Sequence, residues 1–259
     1  MRRIPPVLLL PAVLGLLFLV LPLVGLLVRT PWASVPRLLA GQGALTALRL
    51  SLVTATLATV VALVFGVPLA WLLARVPFPG RRLVRALVTI PLVLPPVVGG
   101  VALLLVFGRR GLVGSWWGLS LPFTTAGVVV AEAFVAMPFL VVAVEGALLA
   151  ADLRYEEAAV TLGAGRWTVF RRITLPMIGP GVAAGAVLCW ARALGEFGAT
   201  ITFAGNFPGR TQTMPLAVYL ALESDPDSAI VLSLVLLAVS VVVLVTLRGR
   251  WVGAARVGT

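Results

Sequence analysis

The chain alternates long apolar stretches with short polar ones. Six stretches are long enough to cross a bilayer, at about residues 7–28, 47–74, 86–107, 125–150, 181–203 and 229–247. As a helix the first would reach about 33 Å, and the hydrocarbon core of a bilayer is about 30 Å thick. This pattern predicts an all-α integral membrane protein with six transmembrane helices, in which residues 1–259 form a single transmembrane domain.

One long polar interval, residues 151–180, separates the fourth span from the fifth. Its central sequence is EEAAVTLGAGRWTVFRRITLP. Two acids open it, which favours a helix N-terminus, and the alanines that follow are strong helix formers. Gly163 can end this first helix in the left-handed conformation. We predict a second helix over about residues 165–173, stopped by Pro176 before the next span, so that the interval forms a rigid knob.

The arginines predict the orientation of the chain, because the cytoplasmic flanks of membrane spans carry an excess of basic residues. If the N-terminus is inside, the inner segments contain thirteen arginines and the outer segments six, with one more inside the fifth span. We therefore predict that both termini and the polar interval are cytoplasmic. The first span follows Arg2 and Arg3 and is longer than the apolar region of a signal peptide, about 7–15 residues, so we expect it to be retained.

Composition narrows the class of protein. Hydrophobic residues make up 61% of the chain and charged residues 11%, whereas an average soluble protein is about 25% charged. The net charge of +11 comes from arginines at the ends of apolar stretches rather than on a soluble face, which argues against nucleic-acid binding. The chain has no histidine, no lysine and one cysteine, Cys189. It therefore offers no histidine base, no paired metal ligands and no phosphate-binding lysine motif, so we predict neither an enzyme nor a resident cofactor.

The third span has an unusual backbone. Three prolines and two glycines fall within ten residues: Pro91, Pro95, Pro96, Gly99 and Gly100. Each proline removes an amide donor and clashes with the preceding turn, so this helix must kink or break. Freed backbone groups are tolerated in a membrane where they are buried in protein or line a water-filled cavity. The span is a candidate lining for a path or gate, and a bent packing helix is the alternative.

Two spans contain charged residues. Arg192 and Glu196 are four residues apart in the fifth span, which predicts that they share a helical face. An unpaired charge near the bilayer centre costs about 2.5–3.5 kcal/mol or more, so we expect a pair, serving either helix packing or anion passage and gating. Gly198 beside them allows another backbone to approach closely. In the fourth span, Glu145 is expected to reach the interface or a loop arginine, while the sequence indicates no partner for Glu132.

A loop at about residues 204–228 follows the fifth span. It opens with turn-forming residues, and its apolar stretch at 214–222 is too short to cross the membrane. We predict that this stretch forms an interfacial helix on the outer face, where a soluble partner can rest. The candidate docking residues are Asn206, Pro208, Gly209, Arg210 and Thr211.

The polar interval carries a recognisable motif. Glu157, Ala158 and Ala159 are followed after three residues by Gly163, and after nine more by Ile173, Leu175 and Pro176. With Glu156 before it, this pattern resembles the EAA loop of ABC importer permeases, at the expected place after a fourth span. The segments IPLVLPPVVGG, LLLVFGRRG, ARALGEFGATITFAGN and PGRTQTMPLAVYLALESD resemble the permeases of molybdate and tungstate importers, which are close to the sulfate permeases.

The resemblance implies a type I ABC importer permease in the plasma (inner) membrane of a bacterium or archaeon. It implies that the loop is a coupling helix seated on an ATP-binding subunit, which itself binds ATP and Mg. It further implies a complex of two permease copies, two ATP-binding subunits and an external substrate-binding protein, with lipid around the spans. The cargo would be a tetrahedral oxyanion passed through by alternating access. Molybdate or tungstate is the expected cargo, and a sulfate or thiosulfate importer permease is the alternative.

Two other classes of protein remain as alternatives. An ion-driven carrier or channel would need no ATP-binding subunit, and it would be expected to show several interior acids or an inverted repeat, which is not recognisable here. An intramembrane enzyme would need catalytic groups that a chain without histidine or paired catalytic carboxylates does not supply. Copurification with an ATP-binding subunit distinguishes the importer from the carrier.

Overall fold

The computed structural model describes residues 6–117 and 121–254, and all secondary structure in those residues is helical. The helices are α1 (Pro6–Arg29), α2 (Val35–Leu39), α3 (Gln42–Arg75), α4 (Arg81–Val93), α5 (Pro96–Phe107), α6 (Gly114–Trp117), α7 (Thr125–Ala150), α8 (Arg154–Thr161), α9 (Arg166–Val169), α10 (Leu175–Leu194), α11 (Gly198–Phe203), α12 (Met214–Ser224) and α13 (Pro226–Ala254). A π-helical turn, Phe170–Thr174, joins α9 to α10.

Helices α3, α7 and α10 pack against one another and form the core of the molecule. Their contact surfaces are rich in small residues. On α3, Ala55, Ala58 and Ala62 are fully buried. On α10, Gly185 lies so close to α7 that a Cβ added to it would be 3.0 Å from the methyl group of Ala143. Small residues allow this close approach, which supplies the packing energy that holds helices together in lipid.

The predicted spans correspond to helices of the structure. Five helices are long and apolar enough to cross a membrane, and the bent pair α4–α5 makes a sixth if it is counted as one broken span. Helix α7 has the predicted bounds, whereas α3 begins at Gln42, earlier than predicted, directly after the extended backbone of Gly41. Arg2, Arg3 and Arg256, which contribute to the predicted orientation, lie outside the described residues. The placement of the termini therefore stays a prediction.

The third span, predicted as residues 86–107, is two helices rather than one. Helix α4 ends at Val93, α5 begins at Pro96, and the chain bends by 118° between them. A continuing helix would need backbone N–H groups at positions 95 and 96 to satisfy the carbonyls of Pro91 and Leu92. Both positions are proline, so neither bond can form. The predicted break is confirmed.

The fifth span, predicted as residues 181–203, also differs in both its bounds and its continuity. Helix α9, the π turn and α10 form one continuous helix, so the prediction that Pro176 stops the second cytoplasmic helix is wrong. In the π turn, the backbone N–H of Leu175 donates to the carbonyl of Phe170 five residues earlier. This wider turn makes room for the proline ring. The helix instead ends at Leu194, and α11 begins at Gly198 after a break of irregular backbone.

The remaining long helices lie at the periphery. Helix α1 contacts α13, and its apolar side chains, such as Phe18 and Leu19, are exposed in the single chain. Helix α12 is too short to be a span and packs against α13 and α3, burying Met214 and Leu216. In a membrane-spanning protein such exposed apolar surface faces lipid or another subunit.

Candidate functional site

The polar interval forms a knob, residues 152–176, made of α8, the bend at Gly163, α9 and the π turn. Gly163 has a φ of 86°, in the left-handed region. Its backbone N–H donates to the carbonyl of Val160 at 2.9 Å, and that of Ala164 donates to the carbonyl of Ala159 at 3.0 Å. These two bonds satisfy carbonyls that the end of α8 leaves open. The predicted left-handed glycine is confirmed.

Two ion pairs flank α8. Arg75, the last residue of α3, donates from Nη2 to Glu156 Oε1 at 3.1 Å, and both side chains are largely buried. Asp152 pairs with Arg154 at an exposed position and accepts hydrogen bonds from its side chain and its backbone N–H. These hydrogen bonds lower the pKa of Asp152 below its usual value. The Arg75 pair is the one that ties the knob to the transmembrane core.

Aromatic packing also attaches the knob to the transmembrane core. Phe170 of the π turn meets Trp71 of α3 edge to face, with ring centroids 6.3 Å apart. Trp167 stacks on the other side of this contact, 5.7 Å from Phe170. Because α9 and the π turn continue directly into α10, a force on the knob acts on two core helices, α3 and α10.

The outer face of the knob is exposed and apolar. Leu162 is 89% exposed, Trp167 70% and Val160 57%. A groove of about 620 Å³ lies between α8, α9 and the end of α3. Contiguous apolar exposure of this kind, rimmed by polar residues, is typical of a protein contact surface.

Of the predicted coupling residues, Glu157, Ala158, Gly163 and Pro176 are exposed, and Glu156, Ala159, Ile173 and Leu175 are half-buried.

The two broken spans meet at their breaks. A Cβ added to Gly198, the first residue of α11, would lie 2.8 Å from the Cβ of Pro96, the first residue of α5. Further along, Gly100 of α5 faces Thr202 of α11 without room for a side chain, and Ala199 O would be 2.9 Å from its Cβ. Of the predicted path residues, Pro95 and Pro96 are exposed, Pro91 and Arg192 half-buried, and Gly99, Glu196 and Gly198 buried.

An ion pair lies at the second break. Arg192 Nη1 and Glu196 Oε2 are 2.6 Å apart, and the Glu196 side chain is 1% exposed. The other carboxylate oxygen, Oε1, accepts from the backbone N–H of Ala199 at 2.8 Å. The predicted pairing is confirmed, but the expected continuous helical face is wrong, because α10 ends before Glu196. Glu196 instead lies just before α11, where it accepts one N–H of the first turn while it neutralises Arg192.

The acids of the fourth span have partners that the sequence left open. Glu132 Oε1 accepts a hydrogen bond from Thr54 Oγ1 at 2.9 Å, and the residue is 1% exposed. Glu145 pairs with Arg85 of α4, whose Nε donates at 2.9 Å. Glu145 was expected to reach the interface or a loop arginine. Its partner is an arginine, but Arg85 lies inside α4 and not in a loop. Neither partner could be predicted from nearby sequence, because each lies 60 or more residues from its glutamate.

The loop before α12 presents part of the predicted docking set. Pro208, Gly209 and Arg210 are exposed, and Asn206 is half-buried. Thr211 is fully buried, and its Oγ1 accepts from the backbone N–H of Phe207 at 2.9 Å. Thr211 therefore shapes the loop from inside. Among the described residues, no three histidine, cysteine, aspartate or glutamate side chains gather as metal ligands.

This architecture of long helices, two meeting helix breaks and an anchored knob at one end is that of an importer's membrane subunit. Residues 66–254 match the family of binding-protein-dependent transport system inner membrane components. The chain belongs to this family and is an inner membrane permease.

Named relatives make the likeness more specific. The molybdenum transport system permease protein ModB of Mycobacterium tuberculosis is 48% identical over 244 residues, which cover 93% of this chain and 92% of that protein. ModB of Escherichia coli is 44% identical over 209 residues, 79% of this chain and 91% of that protein. The sulfate transport system permease protein CysT of E. coli is 37% identical over 239 residues, 90% of this chain and 86% of that protein.

Solved structures support the fold. A chain of a bacterial alginate ABC transporter, in complex with an alginate-bound periplasmic protein, has a TM-score of 0.74 at 20% identity, covering 93% of this chain and 91% of that one. A chain of the MetNI methionine ABC transporter has a TM-score of 0.62 at 19% identity, covering 82% of this chain and 94% of that one. The fold is that of type I ABC importer permeases.

Proposed function

We propose that this chain is the transmembrane subunit of an ATP-driven importer of a tetrahedral oxyanion, molybdate or tungstate. The observation that supports this choice of substrate is the 48% identity to a molybdenum transport permease over nearly the full length of both chains. The charges on the transmembrane segments do not select the anion, because Arg192 is neutralised by Glu196. Tight recognition of the anion then belongs to an external binding protein, and the permease passes it on.

The knob is the proposed contact with the ATP-binding subunits, of which the complex has two. The exposed coupling residues and the apolar face of Leu162 and Trp167 would fit a cleft in such a subunit. ATP and Mg are bound there and not by this chain. Because the knob is held to α3 by Arg75 and continues into α10, closure of the ATP-binding subunits would move both core helices.

The path is proposed to lie against a second copy of this chain. The carbonyls of Pro91 and Leu92 lose their helical donors at the break, and Val93 beside them is 86% exposed. Such backbone cannot face lipid, so it must contact protein or water. The Arg192–Glu196 pair lies at the break of the adjoining helix. Two copies that meet along this face would enclose one path, gated by the two breaks.

The external binding protein is proposed to dock on the loop of residues 205–213. Its exposed part is Pro208, Gly209 and Arg210, with Asn206 at its edge. The left-handed glycines Gly205 and Gly209 give this loop its shape. Thr211 is buried and would contribute by holding the loop rather than by touching the partner.

Uptake by vesicles tests the cargo. The complex is purified with its copurifying ATP-binding subunit, reconstituted together with its external binding protein, and given labelled molybdate with unlabelled tungstate or sulfate as competitors at equal concentration. We expect ATP-dependent uptake that tungstate suppresses and sulfate does not. Preferential competition by sulfate would favour the second candidate function, a sulfate importer. The 37% identity to a sulfate permease is the observation that supports this candidate.

A further inference from the structure

The corner between α3 and α4 holds a basic groove that the transport function does not use. It has a volume of about 610 Å³ and is lined by Pro77, Phe78, Pro79, Gly80, Arg81 and Arg82. It lies at the same end of the helix bundle as the knob, because Pro77 also lines the groove beneath α8. This end is where the spans leave the hydrocarbon region.

The two arginines of this groove keep their charge without an ion-pair partner in the part of the chain that the structure describes. Among the described residues, the four ion pairs include neither Arg81 nor Arg82. Arg82 is exposed. Arg81 uses Nη2 to bond the carbonyl of Ala74 at 3.2 Å, while its Nε is buried and has no hydrogen-bond partner. The neighbouring basic residue on α4, Arg85, is already neutralised by Glu145.

Helix α4 places this charge beside lipid. None of its residues is fully buried. Leu83, Leu87 and Ile90 are 64%, 54% and 47% exposed and lie at helical spacing on one face. Val84 and Val88, about 100° further round the helix, pack against the core. An amphipathic helix with exposed apolar residues and arginines in its first turn is typical of a segment at the membrane interface.

We propose that this groove binds the phosphate headgroup of an anionic phospholipid. Arg81 and Arg82 would bind the phosphate oxygens, and the acyl chains would lie along the Leu83–Leu87–Ile90 face of α4. Guanidinium groups suit phosphate because they donate in a planar fork. A basic pocket beside transmembrane helices at the membrane surface is the general form of an anionic lipid site. The inference rests on the membrane-spanning class of the protein and not on its cargo.

Native mass spectrometry of the purified full chain, with any subunits that copurify, tests this site. The probes are phosphatidylglycerol and phosphatidylcholine with identical acyl chains. We expect phosphatidylglycerol to bind more tightly, and Arg82→Gln to weaken it about five-fold. The matched control is Arg110→Gln, which removes an equally exposed arginine after α5, at the other end of the bundle. It should leave binding unchanged, and Arg82→Lys should retain only part of the binding, because the charge remains but the planar fork is lost.

Four results would overturn the proposal. Equal binding of both lipids would show that the charge of the headgroup is not recognised. Equal losses of phosphatidylglycerol binding in Arg82→Gln and Arg110→Gln would show that the lipid does not bind specifically at the α3–α4 corner. Displacement of phosphatidylglycerol by equimolar inorganic phosphate would make the ligand a free phosphate. Loss of a copurifying ATP-binding subunit in Arg82→Gln, with lipid binding intact, would make the groove a protein contact. Size-exclusion profiles of each variant confirm that it is folded.

Discussion

Single residues hold the interruptions of this helical chain in place. Gly163 supplies the positive φ that turns the knob, and no side chain lies near the position of its missing Cβ. Glu196 accepts from Ala199 and neutralises Arg192 in one place. Thr54 provides the hydrogen bond to the buried Glu132. Glu196 and Thr54 satisfy backbone and charge requirements that lipid cannot meet, whereas Gly163 satisfies a conformational requirement of the backbone.

Gly163→Ala tests the bend of the knob. A side chain in the left-handed conformation costs on the order of 1–2 kcal/mol, and here the cost comes from the backbone alone because the site has open space. We expect the knob to shift and ATP-dependent uptake to fall at equal protein level. The control is Gly165→Ala, also in open space but at an ordinary φ of −67°. Equal uptake by the two variants would contradict the role of the bend.

Glu196→Gln tests the ion pair. It retains an acceptor for the Ala199 amide but leaves Arg192 without a counter-charge, which should destabilise the protein by about 3 kcal/mol. Thermal unfolding in detergent measures the loss. Replacing both residues, with Arg192→Met added, should recover much of the stability because no unpaired charge remains. If the double variant is no more stable than Glu196→Gln, the pair is not what this site requires.

At the scale of elements, the molecule is a three-helix core with two broken helices on one side. Helices α3, α7 and α10 pack through alanine and glycine. Helices α5 and α11 pack closely beside them, starting at breaks that adjoin each other. The start of one broken helix thus packs directly against the start of the other.

Gly100→Ala tests the contact between α5 and α11. The added methyl group would collide with Thr202 and come within 2.9 Å of the Ala199 carbonyl, so one helix has to move. We expect a loss of roughly 1–3 kcal/mol, the usual cost of overpacking, measured by thermal unfolding. Gly146→Ala on α7 is the control, since its Cβ would meet nothing within 4 Å. It should be neutral or slightly stabilising. Equal effects would argue against close packing at the breaks.

The whole molecule leaves one break in its transmembrane helices uncovered. The bend between α4 and α5 exposes Val93 beside carbonyls without helical donors, and the Arg192–Glu196 pair lies at the adjoining break. Elsewhere the exposed surface of the long helices, such as α1, is apolar and suits lipid. This asymmetry supports the proposal that this side of the chain meets a second copy.

Disulfide cross-linking tests this arrangement. In a chain whose native cysteine is replaced by Cys189→Ala, Val93→Cys at the bend should form a dimer in membranes under mild oxidation. Leu83→Cys on the outer face of α4 is also exposed but is expected to face lipid, and should remain monomeric. Non-reducing gels show the outcome. A cross-link at position 83 and none at 93 would place the second copy on another face.

The sequence determined the features that depend on neighbours within a few residues. Apolar runs of sufficient length gave the spans, Gly163 ended α8, and Pro95 and Pro96 broke the third span because they have no amide to donate. The four-residue spacing of opposite charges predicted the pairing of Arg192 with Glu196. Tertiary structure decided the partners that come from distant parts of the chain. Thr54 reaches Glu132 because α3 packs against α7, and Gly198 meets Pro96 because α11 packs against α5. Arg75 at the end of α3 reaches Glu156 on α8. Local backbone chemistry sets where a helix starts or stops, whereas side-chain packing between helices sets which of these points meet.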